Sequence, residues 1–272
     1  MNENSQIARL AAQHQKPVAL VTGAMRGIGR ACAIALARSG FDLALNDLES
    51  EETSRLAAEL AAEIAADGAE SILVPGDVSN LENHAKLLQS VLERWGRLDC
   101  LLNNAGIPAQ RRGDLLDVTA ESFDRCMAVN TRAVFFLSQA VARYMVSANA
   151  SSAMHRSIIN ITSSNARAVS IARGEYCVSK AASSMTTRLF AARLAAHGIG
   201  VYEVRPGIIA TDMTKPAKSQ YDAIIGAHLV PAERWGYPED VASTIVCMAE
   251  GRLRYTVGQA VTVDGGLTMP RF

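Results

Sequence analysis

The heptad Gly-Glu-Tyr-Cys-Val-Ser-Lys at 174–180 sets Tyr176 and Lys180 four residues apart. On a helix, positions i and i+4 share a face, so this spacing puts a phenol beside an ammonium. A free phenol titrates near pH 10, too high for efficient proton exchange near neutrality, and a neighbouring cation favours its ionised form. The pair could therefore serve as a general acid or base. Lowering a phenol by about three pH units takes roughly 4 kcal/mol of differential interaction. An exposed pair does not supply that; a water-poor cleft holding a second cation could. An isolated Tyr-x-x-x-Lys is commonly a plain surface pair, so the remaining sequence has to decide.

A second chemical signal is Thr-Gly-Ala-Met-Arg-Gly-Ile-Gly at 22–29, directly after the apolar run 17–22. Gly23 permits a turn, Gly27 lets the backbone approach a ligand, and Gly29 allows helix and strand to pack closely. The helix that follows aims free N–H groups and a partial positive charge at this loop, which suits a pyrophosphate. Asp47 stands 18 residues beyond Gly29, at the end of the next apolar run. There it could bind ribose hydroxyls or cap the following helix. Asp77, in Pro-Gly-Asp-Val, could likewise meet an adenine edge or act as a cap. Arg26, inside the loop, is the residue type that would neutralise a 2′-phosphate, in conflict with Asp47.

These groups need a scaffold. Short β-branched runs alternate with Ala-rich stretches of helical period: strands are expected at 17–22, 41–47, 71–77, 98–106, 156–163, 199–207 and 259–266. A helix is expected from Glu51 to Asp67, stopped by Gly68, and another after the glycine loop, stopped by Gly40. Such alternation implies right-handed crossovers and one doubly wound α/β parallel sheet of about seven strands, with ligands at the strands' carboxyl ends. Residues 1–16 read as a polar extension and 17–272 as a single domain.

Composition narrows the function. Lys plus Arg equals Asp plus Glu, 27 each, which argues against a nucleic-acid or anionic-membrane surface. Arg111–Arg112 and Arg252 with Arg254 read as solvated loop charges. The N-terminus lacks the apolar core of a signal peptide, and no stretch approaches the roughly 18 apolar residues of a membrane span. Five scattered cysteines without a Cys-x-x-Cys pair suggest reduced thiols, no metal site and a cytoplasmic setting. Cys177 reads as packing.

Taken together, the glycine loop, Asn-Asn-Ala-Gly at 103–106, Asn130, Ser163, Tyr176, Lys180 and the Pro206–Met213 stretch resemble the short-chain dehydrogenase/reductases. The likeness runs from Pro17 to Gly266 and is strongest to the 3-oxoacyl-[acyl-carrier-protein] reductase group. Its most specific feature is Ser163 lying 13 residues before Tyr176, with Lys180 four after. The resemblance implies an NAD(P)-dependent oxidoreductase interconverting a ketone and a secondary alcohol. It makes Tyr176 the general acid/base and Lys180 its tuner and a ribose ligand. Ser163 would hydrogen-bond the substrate oxygen, and Asn130 would hold a relay water; a helix-kink or buried-amide role is its plain alternative, and the two can coexist. Implied cofactor contacts are Gly23, Met25, Arg26, Gly27, Ile28, Gly29, Asp47, Asp77, Val78, Asn104, Ala105, Gly106, Tyr176, Lys180, Pro206, Gly207, Ile209 and Thr211. Residues 212–232 fall where the family keeps a substrate lid. NAD(H) is expected over NADP(H) because of Asp47; the Ala-rich helices at 120–147 and 176–197 carry more apolar surface than one sheet face needs, and similar proteins pair them, which implies a homotetramer, or at least a dimer. An acyl carrier protein is doubtful, since 143–157 carries little charge between Arg143 and Arg156, and His197 stands where an arginine would help. A sugar or polyol dehydrogenase is the alternative; a silent dinucleotide-binding regulator is the alternative of another class.

Overall fold

The computed structural model describes residues 3–148 and 154–270. All seven strands are parallel and pair in the order β3-β2-β1-β4-β5-β6-β7. Their ranges are β1 Val18–Thr22, β2 Asp42–Asn46, β3 Ser71–Leu73, β4 Cys100–Asn103, β5 Arg156–Ile161, β6 Ile199–Pro206 and β7 Ala260–Val263. Chain direction across the sheet reverses at β1, which is flanked by β2 and β4, so a crevice opens at the carboxyl ends of these strands.

Alternating side chains divide the core into two layers, as the pleat requires. On one face Ala19, Val21, Leu43 and Leu45 pack with Cys32 and Leu36 of α2 (Gly27–Arg38), Leu60 and Ile64 of α3 (Glu51–Ala66), and Val241 and Ile245 of α9 (Pro238–Ala249). On the other, Val18, Leu20 and Leu101 pack with Leu87 and Trp95 of α4 (Glu82–Trp95) and Leu137 and Val141 of α6 (Val134–Ser147). The layer also takes Ala191 and Leu194 of α7 (Gly174–Leu194). This double burial explains why the strands read as continuous apolar runs.

Three details differ from expectation. The third strand ends at Leu73 rather than 77: Pro75 has no N–H to continue a ladder, and Asn46 Nδ2 donates instead to the carbonyls of Val74 and Gly76 at 3.0 and 2.9 Å. The region 120–147 is not one α-helix, because a π-helical segment, Ala128–Ala133, follows α5 (Ala120–Met127) and carries Asn130. The polar N-terminal stretch forms α1 (Glu3–Gln13), whose backbone at Ile7 and Ala11 closes on Gly96 so tightly that a Cβ there would collide. No helix among the described residues is long and apolar enough to cross a membrane.

Candidate active site

The glycine loop leaves β1 through Gly23 at φ 62, where any Cβ would press on Ala105 Cα at 3.0 Å. A Cβ at Gly29 would run into the Gly23 carbonyl and the Asn104 amide, so Gly29 serves helix–loop packing. Helix α2 begins at Gly27, and Arg26 at its N-cap gives no side-chain cap. Its first N–H groups are thus left for an anion. The loop is locked from across the sheet: Asn104 Nδ2 donates to the Thr22 and Gly23 carbonyls at 2.8 and 2.9 Å. Thr22 Oγ1 accepts from the N–H groups of Asn104 and Ala105, both at 3.0 Å.

Asp47 follows β2 and lines the same cleft. Its carboxylate accepts from Met25 N–H at 3.2 Å and Leu48 N–H at 2.9 Å. It does not cap α3; Ser50 does, accepting from Thr53 N–H at 3.0 Å. Arg26 pairs with neither Asp47 nor the loop but with Glu52, at 2.5 Å. Asp77 also caps no helix, since it accepts from Ser79 N–H at 2.8 Å in a turn.

Ser163 lies just past β5, Tyr176 in the first turn of α7 and Lys180 one turn on, and the three converge in one cleft of about 870 Å³. Ser163 Oγ accepts from Asn165 N–H at 3.1 Å, which leaves its hydroxyl proton to donate, and it hydrogen-bonds Tyr176. Lys180 Nζ donates to the Ile161 carbonyl at 3.1 Å and sits 5.8 Å from the Tyr176 ring centre. Behind them Asn130 is fully buried: it accepts from Ile107 N–H at 2.9 Å and donates to the Ile107 carbonyl and Ser179 Oγ, each at 3.0 Å. The π turn therefore braces α7 one residue before Lys180. A Cβ on Gly106 would stand 3.2 Å from both Asn130 Oδ1 and Lys180 Nζ, so the absent side chain leaves polar space between them.

Burial dominates the electrostatics of the pair. Burial raises the Tyr176 phenol above its ordinary value, outweighing the hydrogen bond from Ser163 and the nearby Arg173 cation. Burial also lowers Lys180, to about 8. Desolvation opposes charge on both groups.

Of the expected contacts, Gly23, Arg26, Gly27, Ile28, Asp47, Asn104, Ala105, Gly106, Pro206, Gly207, Ile209 and Thr211 line the cleft with Ser163, Tyr176 and Lys180. Met25, Gly29, Asp77, Val78 and Asn130 do not line it; Met25 and Val78 are core residues. The sequence reading missed several others. Arg112, read as a solvated charge, lines the cleft with Arg167 and Arg173, and its Nη2 donates to Tyr221 Oη at 2.9 Å. Arg205 also lines it, anchored by a buried pair with Glu203 at 2.7 Å. No spacing rule links such distant positions.

A family model described as enoyl-(acyl carrier protein) reductase matches residues 23–268. The chain is 37% identical to a 3-oxoacyl-[acyl-carrier-protein] reductase of Synechocystis, over 93% of this chain and 97% of the relative. It is 34% identical to the 2-dehydro-3-deoxy-D-gluconate 5-dehydrogenase of Dickeya dadantii, over 93% and 95%. A crystal structure of a Brucella melitensis 3-oxoacyl-[acyl-carrier protein] reductase in complex with NAD superposes with TM-score 0.90 at 41% identity, covering 95% of this chain and 99% of that one.

Proposed function

This chain belongs to the short-chain dehydrogenase/reductase family of NAD(P)-dependent oxidoreductases, and on that premise we propose that Ser163, Tyr176, Lys180 and Asn130 form its active set and NAD(H) its preferred cofactor. One observation carries the reading: the only phenol–ammonium pair at helical spacing among the described cleft residues sits opposite a glycine loop with a free helix N-terminus.

In alcohol oxidation, Tyr176 Oη takes the hydroxyl proton while the carbinol C–H bond breaks; in ketone reduction it returns the proton to the carbonyl oxygen. Bound nicotinamide supplies the hydride acceptor or donor and, when oxidised, a cation. Ser163 donates to the substrate oxygen as charge develops there. Lys180 holds its ammonium on the Ile161 carbonyl, with two further donors for ribose hydroxyls and the phenolate. The space between Asn130 Oδ1 and Lys180 Nζ suits a relay water.

Asp47 supports NAD(H), because its carboxylate fits ribose hydroxyls and repels a 2′-phosphate, while Glu52 occupies Arg26. Asp77 and Val78 remain candidates for the adenine end. Exposed Phe136, Val178, Met185 and Leu189 on α6 and α7 support a homotetramer built across these helices. Segment 212–232, which holds α8 (Lys218–Gly226), is proposed as the lid. The relatives named above offer a 3-oxoacyl thioester or a sugar acid as substrate. An acyl carrier protein is the less favoured partner: His197 pairs with Arg193 at 2.8 Å, while residues 149–153 of the other region lie outside the described residues. The test is NADH absorbance on mixing the protein with a panel of ketones and secondary alcohols. Turnover supports the reading; tight NADH binding with none across the panel favours a silent regulator.

A further inference from the structure

The two ends of the cleft differ in charge balance. At the cofactor end Arg26 is paired with Glu52, and Arg205, in the cleft lining, is paired with Glu203. Asp212, at the rim, is matched by Lys215 at 2.5 Å. At the far end stand Arg112, Arg167 and Arg173, and among the described residues none of them has a carboxylate in ion-pair reach. Instead, two guanidinium groups meet on one neutral oxygen: Tyr221 Oη accepts from Arg112 Nη2 at 2.9 Å and Arg173 Nη1 at 3.2 Å. Arg112 also rests on the Tyr221 ring, 5.4 Å from its centre, and Arg173 on the Tyr176 ring, 5.6 Å from its centre. Aromatic faces and a shared phenol hold the two cations together despite their repulsion, an arrangement that leaves donors of both groups for an anion.

We propose that the cleft takes an anionic substrate, a short hydroxy or oxo acid whose carboxylate is bound by Arg112 and Arg173 while its carbinol or carbonyl carbon faces Tyr176. This rests on the proposed function and adds its substrate class. Arg173 fixes the geometry: its guanidinium lies beside the Tyr176 ring, so the carboxylate is only a few bonds from the reacting carbon. A long acyl chain would leave both charges unanswered. Tyr221 belongs to α8, in the proposed lid, so an anion on these arginines also ties the lid to the site.

The experiment compares 3-hydroxybutyrate and gluconate with their neutral primary amides, using NAD as oxidant and kcat/KM as the readout. The acid is expected to exceed its amide by at least about tenfold for one of the two pairs, the scale of one charge-assisted hydrogen bond. In R112Q and R173Q that ratio should fall at least about tenfold, mainly through KM, and R173K should recover part of it. Amides turned over as well as acids, or variants that lose acid and amide activity alike, would overturn the proposal. Binding of the same four compounds to the enzyme–NADH complex, by calorimetry, gives a second readout. If no compound is turned over yet the acids bind in an Arg112-dependent way, the anion site stands and the proposed reaction fails. If the acids bind no better than the amides, the anion site fails.

Discussion

Replacing Asp47 by alanine isolates the contest between its carboxylate and a 2′-phosphate. The carboxylate lines the cleft and is oriented by the N–H groups of Met25 and Leu48. Removing it forfeits charge-assisted hydrogen bonds to the ribose, about 1.5–3 kcal/mol each. It also removes repulsion that, at about 4 Å and an effective dielectric near 20, reaches about 4 kcal/mol per unit charge. Asp47 is partly exposed, so screening reduces the second figure, and a combined change of roughly 3 kcal/mol is a conservative sum. At about 1.4 kcal/mol per decade this moves the cofactor ratio by about a hundredfold. The assay is kcat/KM for NAD(H) and NADP(H) in the wild type, D47A and R26A. The wild type should prefer NAD(H) by at least about tenfold, and D47A should erode or reverse that preference. R26A should leave it nearly unchanged, because Arg26 is engaged by Glu52 and that exposed pair is worth about 1 kcal/mol or less. A wild type that prefers NADPH, or a D47A ratio equal to the wild type, would show that Asp47 does not select the cofactor.

Lys180 should cost stability where it earns activity. Its folded pKa of about 8 lies below its ordinary 10.5, so folding disfavours the ammonium. That cost is fully present below pH 8 and is relieved as pH rises from there toward 10.5, where the unfolded chain holds the extra proton. K180M should therefore lower kcat at least about a hundredfold, yet keep or raise Tm at pH 7 by a few degrees, read by scanning calorimetry; a fall of several degrees would count against it. Light scattering should give a tetrameric mass, and L189E with M185E should reduce it, since both side chains stand exposed on α7; a monomeric wild type at micromolar concentration contradicts that.

What the sequence made legible was local or periodic. Apolar runs located every strand, because burial on both faces leaves no polar alternation to obscure them. Tyr176 and Lys180 were found from their spacing and Ser163 from the family resemblance, and the structure brings the three to one cleft. A kink or buried amide at Asn130 was expected, but its π form was not legible, since it depends on bonds to Ile107 and Ser179, the latter 49 residues away. Arg112 was misread as a loop charge because its partner, Tyr221, lies 109 residues on. The spacing placed Lys180 beside Tyr176, but the desolvation that raises the phenol follows from packing and could not be read from it.

Turnover of Y176F, paired with its affinity for NADH by fluorescence titration, decides whether Tyr176 carries the proton. Phenylalanine keeps the ring that packs beside Arg173 and Lys180 and deletes only the oxygen that exchanges the proton. Y176F should keep an NADH Kd within about threefold of the wild type and show a kcat lowered at least about a hundredfold, the usual scale of general acid/base help. Near-normal turnover with the phenol gone would contradict that role.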